Sequence, residues 1–420
     1  MLPSQIHAVD GFAWVEDIRN ISSSLYGCLF SQVNPHVWQP RLRLDTTSGH
    51  TIASTPIPTG LDHPWSHLRP FHFTFPLPAA HESDFCFKVW EASFPDNKAP
   101  FCLPPSSAAL CHRLAPSATY TPDRPALWSV LIPFRSMGTP WATHVADSAN
   151  RLYYHMAYLK DIGAAGLLLF TDPLTSQALE ATPPVQRFLR EGRLVLVSWE
   201  QMERSTYQYD HVWVYSAATL GLSGCGTNVW LLLNDLDEML TSVSRYAPSW
   251  PDMYNCLVRS ANDPAAGVFR LRRVDVVTSF VNASSEWALW TTPPGGDMAA
   301  AGGVAALPAG AGGGVSTDLP LTLYDRIARK PFSIYTGKMV VCPARRIVDI
   351  WVHNARALNG SWFEGNASCA FMVHVVNFWK ERDSNPDAYE PFLLLKTPRK
   401  KALRSAGASG RAAGAAAARG

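Results

Sequence analysis

The residues with the clearest chemical potential lie in Trp230-Leu-Leu-Leu-Asn-Asp-Leu-Asp-Glu-Met-Leu240, where an apolar run ends in the carboxylates Asp235, Asp237 and Glu238. Two carboxylates at D-x-D spacing can hold a hard divalent cation, and that cation can hold a diphosphate. The same residues also suit a helix N-terminus, with Asn234 or Asp235 as cap and Asp237 and Glu238 against the positive end of the dipole. A motif this short arises by chance in a chain of 420 residues, so the surrounding elements must decide.

The run before Asp235 reads as a strand buried on both faces. Upstream, residues 127–134, 166–170 and 193–199 repeat that pattern. Between the first two, Val145, Ala149, Leu152, Met156 and Leu159 recur at helical spacing, and Gly163 suits the helix stop. Val185, Phe188 and Leu189 mark a shorter helix that ends near Gly192. Strands alternating with helices predict right-handed crossovers and an α/β fold with a mostly parallel sheet flanked by helices. Ligands of such a sheet sit beyond the carboxyl ends of its strands, which is where Asp235 and Asp237 fall. Residues 268–274 read as one more strand.

Residues 1–120 carry a different rhythm. Phe71, Phe73 and Phe75, then Phe85, Phe87 and Val89, alternate with other residues as half-buried strands do, so this stretch reads as a β-rich accessory region. Its Trp14, Trp38, Trp65 and Trp90 suit core packing better than sugar stacking. Residues 293–318 are rich in Ala, Gly and Pro and read as a flexible insertion, and residues 396–420 read as a disordered basic tail.

Composition narrows the class. Hydrophobic residues make up 47% and charged residues 17%, a globular balance, and a net charge of +2 makes no case for nucleic-acid binding. No apolar run is long enough to span a membrane, and the N-terminus lacks a basic region followed by an apolar core. Sequons at Asn20, Asn282, Asn359 and Asn366, with an even count of eight cysteines, point instead to the secretory lumen.

The order of the pieces resembles glycosyltransferase family 92. The resemblance rests on Tyr153-Tyr-His-Met-x-Tyr-Leu-x-x-x-Gly163, the strand ending Thr171-Asp172, Leu189-Arg-Glu-Gly-Arg-Leu-Val-Leu-Val-x-Trp199 and Trp230-Leu-Leu-Leu-Asn-Asp-Leu-Asp-Glu238. It continues through Gly337-Lys338-Met-Val-Val-Cys-Pro343, Val352-His353-Asn354 and Val373-His374, and spans residues 126–382. It implies a GT-A (Rossmann-like) fold, Mn²⁺ or another divalent cation, a UDP-sugar donor, inversion at the anomeric carbon and a glycan or polysaccharide acceptor, with galactosyl transfer the favoured activity. It also implies a Golgi membrane anchor, which this sequence does not display. Two further departures are the Ala/Gly insertion on the expected acceptor side and Met239 in place of an aromatic residue.

Within that frame the roles divide by chemistry. Asp237, Asp235 and a neutral His353 suit the metal, and Asp235 also suits the donor ribose. Glu238 is expected to orient this set without touching the metal. Lys338 suits the diphosphate and Asp172 the donor's base or ribose, although an Asp before Pro173 also suits a turn. Arg326, Arg329 and Lys330 are further phosphate candidates, or a solvated face. Glu286, between aromatic neighbours, is the expected catalytic base, with Asp275, Asp325 and Glu364 as alternatives. His374 is a weaker ligand candidate, and a zinc site of Cys342, His353, Cys369 and His374 lacks compact zinc spacing.

Overall fold

The computed structural model describes residues 13–15, 24–31, 41–57, 69–76, 86–96, 98–102, 107–134, 139–199, 207–242, 249–279, 283–294, 320–329, 333–382 and 386–391. Most of the expected insertion, from residue 295 on, and the whole tail at 396–420 lie outside these residues, as does Lys330.

The N-terminal region is β-rich, as its alternating pattern predicts. Its strands are β1 (Ala13–Val15), β2 (Ser24–Ser31), β3 (Leu42–Thr46), β4 (Thr51–Ala53), β5 (Thr55–Ile57), β6 (Arg69–Pro76), β7 (Cys86–Glu91) and β8 (Ala99–Cys102). They form two four-stranded sheets, ordered β1-β2-β6-β5 and β4-β3-β7-β8. A helix that the sequence reading missed, α1 (Ser107–Leu114), follows them.

The chain then alternates through β9 (Ala126–Leu131), α2 (Trp141–Asp161), β10 (Gly166–Thr171), α3 (Pro173–Glu180), α4 (Pro183–Arg190), β11 (Leu194–Ser198), α5 (Tyr207–Gly221) and β12 (Val229–Leu233). Strands β9, β10 and β12 are buried at every residue, because both faces are covered. Leu127, Leu131, Leu167, Leu169, Trp230 and Leu232 turn toward Leu152, Met156 and Leu159 of α2. The alternate residues Trp128, Val130, Leu168, Phe170, Leu231 and Leu233 turn toward Val214, Tyr215 and Ala218 of α5. Two cores on opposite faces explain why these strands read as continuous apolar runs. Gly163, at φ +76°, ends the turn after α2 as its position predicts.

The remaining elements are β13 (Glu238–Thr241), α6 (Trp250–Ala261), β14 (Ala266–Val277), α7 (Ala283–Thr291), β15 (Arg326–Ala328), β16 (Ser333–Val341), β17 (Ile347–Trp351), β18 (Asn354–Ala357), β19 (Ser361–Glu364), β20 (Phe371–Val375) and β21 (Tyr389–Pro391). The large sheet has eleven strands, ordered β11-β10-β9-β12-β16-β14-β15-β21, with β13, β19 and β20 attached to the side. Its first four strands keep the expected parallel arrangement, and β14 also pairs in parallel with β19 and β20. Strand β16 enters antiparallel between β12 and β14, so the sheet is mixed rather than mostly parallel. The four parallel strands run in the order third, second, first, fourth, as in one half of a doubly wound sheet, with its switch point between β9 and β12.

Among the described side chains, the disulfides Cys111–Cys225 and Cys256–Cys369 tie distant segments together. The second joins α6 to Cys369, two residues before β20, across 113 positions. Loop-closure entropy puts such a link at about 4–5 kcal/mol. Replacing Cys256 and Cys369 by serine is expected to lower the unfolding free energy by that order, read by urea titration. An unchanged midpoint would remove the disulfide's structural role.

Candidate functional site

The Asp235–Glu238 segment does not begin a helix. It forms a tight turn in which Glu238 N–H donates to the Asp235 carbonyl at 3.1 Å, and β13 follows. Asn234 fixes the entry to this turn. Its Oδ1 accepts from Ser129 Oγ of β9 at 2.7 Å, and its Nδ2 donates to the Asp235 and Glu238 carbonyls at 3.0 Å each. The Ser129 bond crosses the switch point itself. Helix α2 clamps the same turn and the strand after it, with Tyr158 Oη donating to Leu240 O at 2.7 Å and His155 Nδ1 3.1 Å from Leu236 O.

Two carboxylates of this turn, Asp235 and Glu238, share Lys338, and the third, Asp237, meets His374. Asp235 Oδ1 lies 2.5 Å from His211 Nε2 of α5, and its Oδ2 accepts from Lys338 Nζ at 2.8 Å. Burial would raise the Asp235 carboxyl, but Lys338 and His211 hold it well below the ordinary value. Glu238 has no exposed side-chain surface and faces Lys338 Nζ at 3.2 Å and Arg273 Nη1 at 3.3 Å, while its Oε2 accepts from the Asp235 N–H at 2.9 Å. Burial dominates there and raises the Glu238 carboxyl despite Lys338. Lys338, fully enclosed, is held in its ammonium form by the two carboxylates against the penalty of burial.

Asp237 belongs to a second chain of contacts. Its Oδ2 lies 3.5 Å from His374 Nε2, and His374 Nδ1 meets Asp275 Oδ1 at 2.8 Å. Glu238, His374 and Asp275 stand in register across β13, β20 and β14, so their side chains share one face. Burial alone would lower the His374 imidazolium, but Asp237 and then Asp275 push it up to about 9. Asp275 is the open member of this row, with its side chain 40% exposed. Burial would raise its carboxyl, yet His374 and Arg273 keep it below the ordinary value.

His353 lies in the turn between β17 and β18, with Nδ1 2.9 Å from Gly337 O. A carbonyl only accepts, so Nδ1 carries the proton and Nε2 keeps its lone pair. Burial, reinforced by Lys338, lowers the ring to about 3 and keeps it neutral. That is the protonation state a metal ligand needs.

The predicted metal set of Asp235, Asp237 and His353 therefore fits only in part. His353 has the right lone pair and Asp237 has a carboxylate oxygen beyond the one facing His374, but both Asp235 oxygens are already engaged by cationic or hydrogen-bonding partners. Among the described residues no group of three or more His, Cys, Asp or Glu is close enough to hold a metal ion.

Other expected residues take structural positions. Asp172 caps α3, its Oδ1 accepting from the Thr175 N–H at 2.9 Å, which is the turn position expected as the alternative to a donor role. Glu286 is 1% exposed, with Oε2 accepting from Asn377 Nδ2 at 2.9 Å. Burial raises its carboxyl, and its neighbour Trp290 packs against Tyr154, Tyr324 and Phe378 in the core. The structure thus places the expected base Glu286 in the interior, hydrogen-bonded to Asn377, and not at an open face. Arg326 and Arg329 belong to β15 and the residue after it, three strands from β12, and Arg329 Nε donates to Tyr389 O at 3.2 Å. Cys369 is in a disulfide, which removes it from the zinc alternative. Met239 is a core residue, the packing change expected of it.

Sequence reasoning missed His211 and Arg273. Each is brought to the carboxylates by a separate element, with no local spacing to mark it. One signal was present: His211 lies in an apolar stretch of α5, and a histidine buried there requires a polar partner.

No known family matches the chain, and no curated protein matches it. Among solved structures, the amylomaltase of Corynebacterium glutamicum is similar at 10% identity over 36% of this chain, with a TM-score of 0.14. The match spans about 20% of the length of that protein and carries no argument about this one.

Proposed function

We propose that this protein is a GT-A-type glycosyltransferase that moves a sugar, galactose favoured, from a UDP-sugar to a glycan or polysaccharide acceptor with inversion. The observation that carries the reading is the position of Asp235 and Asp237. They leave β12 at the carboxyl edge, beside the β9–β12 switch point where a doubly wound sheet binds its nucleotide. A divalent cation such as Mn²⁺, when bound, supplies neutralisation of the charge that builds on the departing diphosphate. Asp237 and His353 have the donor chemistry to hold it. Lys338 brings positive charge to Asp235, and Arg273 brings it to Glu238 in the same turn.

Inversion requires a base that takes the acceptor hydroxyl proton as the new bond forms. Asp275 suits that task better than Glu286, being open and ionised, with His374 Nδ1 orienting its Oδ1. The disulfides Cys111–Cys225 and Cys256–Cys369 support an oxidising compartment, so we propose that the activity lies in the secretory lumen, at the Golgi membrane. Among the described residues no helix is long and apolar enough to cross a membrane. The engagement of Asp235 by Lys338 and His211 favours a second reading, a glycan-binding or scaffold protein that retains the fold without turnover.

The two readings separate by titrating UDP with and without Mn²⁺ and following UDP-sugar hydrolysis and transfer. Asp237→Ala is expected to abolish metal-dependent nucleotide binding. Asp275→Asn is expected to keep binding and lose turnover by about 10²–10⁴-fold. Nucleotide binding that ignores both Mn²⁺ and Asp237 would sink the metal site, and binding without turnover in the parent would favour the second reading.

A further inference from the structure

The segment Asn359-Gly-Ser-Trp-Phe-Glu-Gly-Asn-Ala-Ser368 places one N-x-S/T sequon on each side of β19. Strand β19 hydrogen-bonds to β14 along one side, and among the described residues no strand pairs with its other side. Trp362, in the middle of this strand, is 42% exposed. Asn359 and Asn366 are both exposed as well. An edge strand that presents an open aromatic residue is a template for pairing with a second chain, and stable proteins cover or charge such edges. Glu364, on the same face as Trp362, is drawn into an ion pair with Arg272 at 2.9 Å and leaves the tryptophan end uncharged.

We infer that Asn359 and Asn366 carry N-linked glycans in the native protein, and that these glycans cover the β19 edge. The Asn366 amide is held as a compact turn. Its Oδ1 accepts from the Ser368 N–H at 3.0 Å and from Ser368 Oγ at 2.8 Å, which ties the sequon's hydroxyl to the amide that must react. Its Nδ2 makes a long contact of 3.3 Å to Ser260 Oγ at the surface and keeps a second N–H. Asn359 lies in the turn between β18 and β19, anchored by its backbone N–H to Arg345 O at 3.0 Å while its side chain stays open. Trp362 stands ~10–14 Å along the strand from either asparagine at the usual rise per residue, a span that a branched oligosaccharide covers. A sugar ring presents an apolar face that suits an aromatic side chain.

The chemistry asks for a lumenal transferase and a lipid-diphosphate-linked oligosaccharide. The asparagine Nδ2 bonds to the anomeric carbon, the anomeric C–O bond breaks, the diphosphate leaves with the bonding pair, and one amide proton passes to a base of the transferase. Both requirements belong to the oxidising compartment in which Cys256–Cys369 and Cys111–Cys225 form, and Cys369 directly follows the second sequon. The inference stands on exposure, edge geometry and compartment, and it holds whether or not the protein transfers sugars.

The test is peptide mass analysis of the full chain isolated from its native source, with and without an amidase that releases N-glycans. Asn359 and Asn366 are expected to be recovered as aspartate only after the amidase. Unmodified asparagine at both positions overturns the inference. Ser368→Thr is expected to retain the glycan on Asn366 and Ser368→Ala to lose it, whereas retention in Ser368→Ala overturns the assignment. Enzymatic removal from the already folded protein is expected to raise self-association severalfold by light scattering, with Trp362→Ser suppressing the rise. Equal association before and after removal overturns the covering role.

Discussion

Replacing Lys338 by methionine is expected to lower the unfolding free energy by about 3–5 kcal/mol, although methionine fits the apolar stem of the side chain. The ammonium is fully enclosed and meets Asp235 at 2.8 Å and Glu238 at 3.2 Å. Removing it leaves two carboxylates of one turn facing each other with only His211 and Arg273 to compensate. The penalty is therefore that of two stranded charges, larger than the loss of one favourable contact. Glu238 already leans toward its protonated form, so the variant should recover part of its stability as pH falls. Adding Glu238→Gln to Lys338→Met should recover most of the loss, because a buried ion pair is often replaceable by neutral groups of similar volume. Lys338→Arg should not restore the parent, since a planar guanidinium cannot occupy the place of a compact point charge. Chemical denaturation of the four chains decides the matter. A loss below about 1 kcal/mol in Lys338→Met would mean that the pair does not hold the turn.

The same cluster shows what the sequence could and could not reveal. Strands β9, β10 and β12 were legible because their residues alternate between two cores, which leaves an unbroken apolar run bounded by polar residues. Helix α5 was missed for the opposite reason. Its Tyr207-Gln-Tyr-Asp-His-Val-Trp-Val-Tyr215 start is rich in aromatic and β-branched residues, and from residue 210 to 221 it is buried all round, so no polar face marks its period. The reversal of β16 was not legible either, because pairing partners are set by tertiary packing and its run reads alike in both directions. Lys338 was singled out by its segment, yet nothing local showed that Asp235 and Glu238 would be its partners. The burial of Glu286 was not legible, because aromatic neighbours mark a core at least as often as a sugar subsite, and Trp290 belongs to the core.

Folding stability is expected to peak near pH 6.5 and to fall on both sides, because three histidines of this region depart from the ordinary value of 6.5 in opposite directions. His374 is raised to about 9, so between those values the native state holds a proton that the unfolded chain has released. Its contribution is complete below pH 6.5 and is lost as pH rises through about 9, an effect of about 3 kcal/mol. His353, lowered to about 3, and His155, lowered to about 4, work the other way. Below pH 6.5 the unfolded chain takes up protons that these two buried rings refuse, so acidification destabilises by several kcal/mol in total. His155 Nε2 has no partner among the described residues, which a neutral ring tolerates and a charged one does not. The raised carboxyls of Glu238 and Glu286 oppose this acid limb, while the lowered carboxyls of Asp235 and Asp275 reinforce it. Denaturant midpoints measured across this range in the parent, His374→Gln and His155→Phe assign each limb to its residue. His374→Gln should flatten the alkaline limb and His155→Phe should shorten the acid one. An alkaline limb that survives in His374→Gln would show that the imidazolium between Asp237 and Asp275 is not its source.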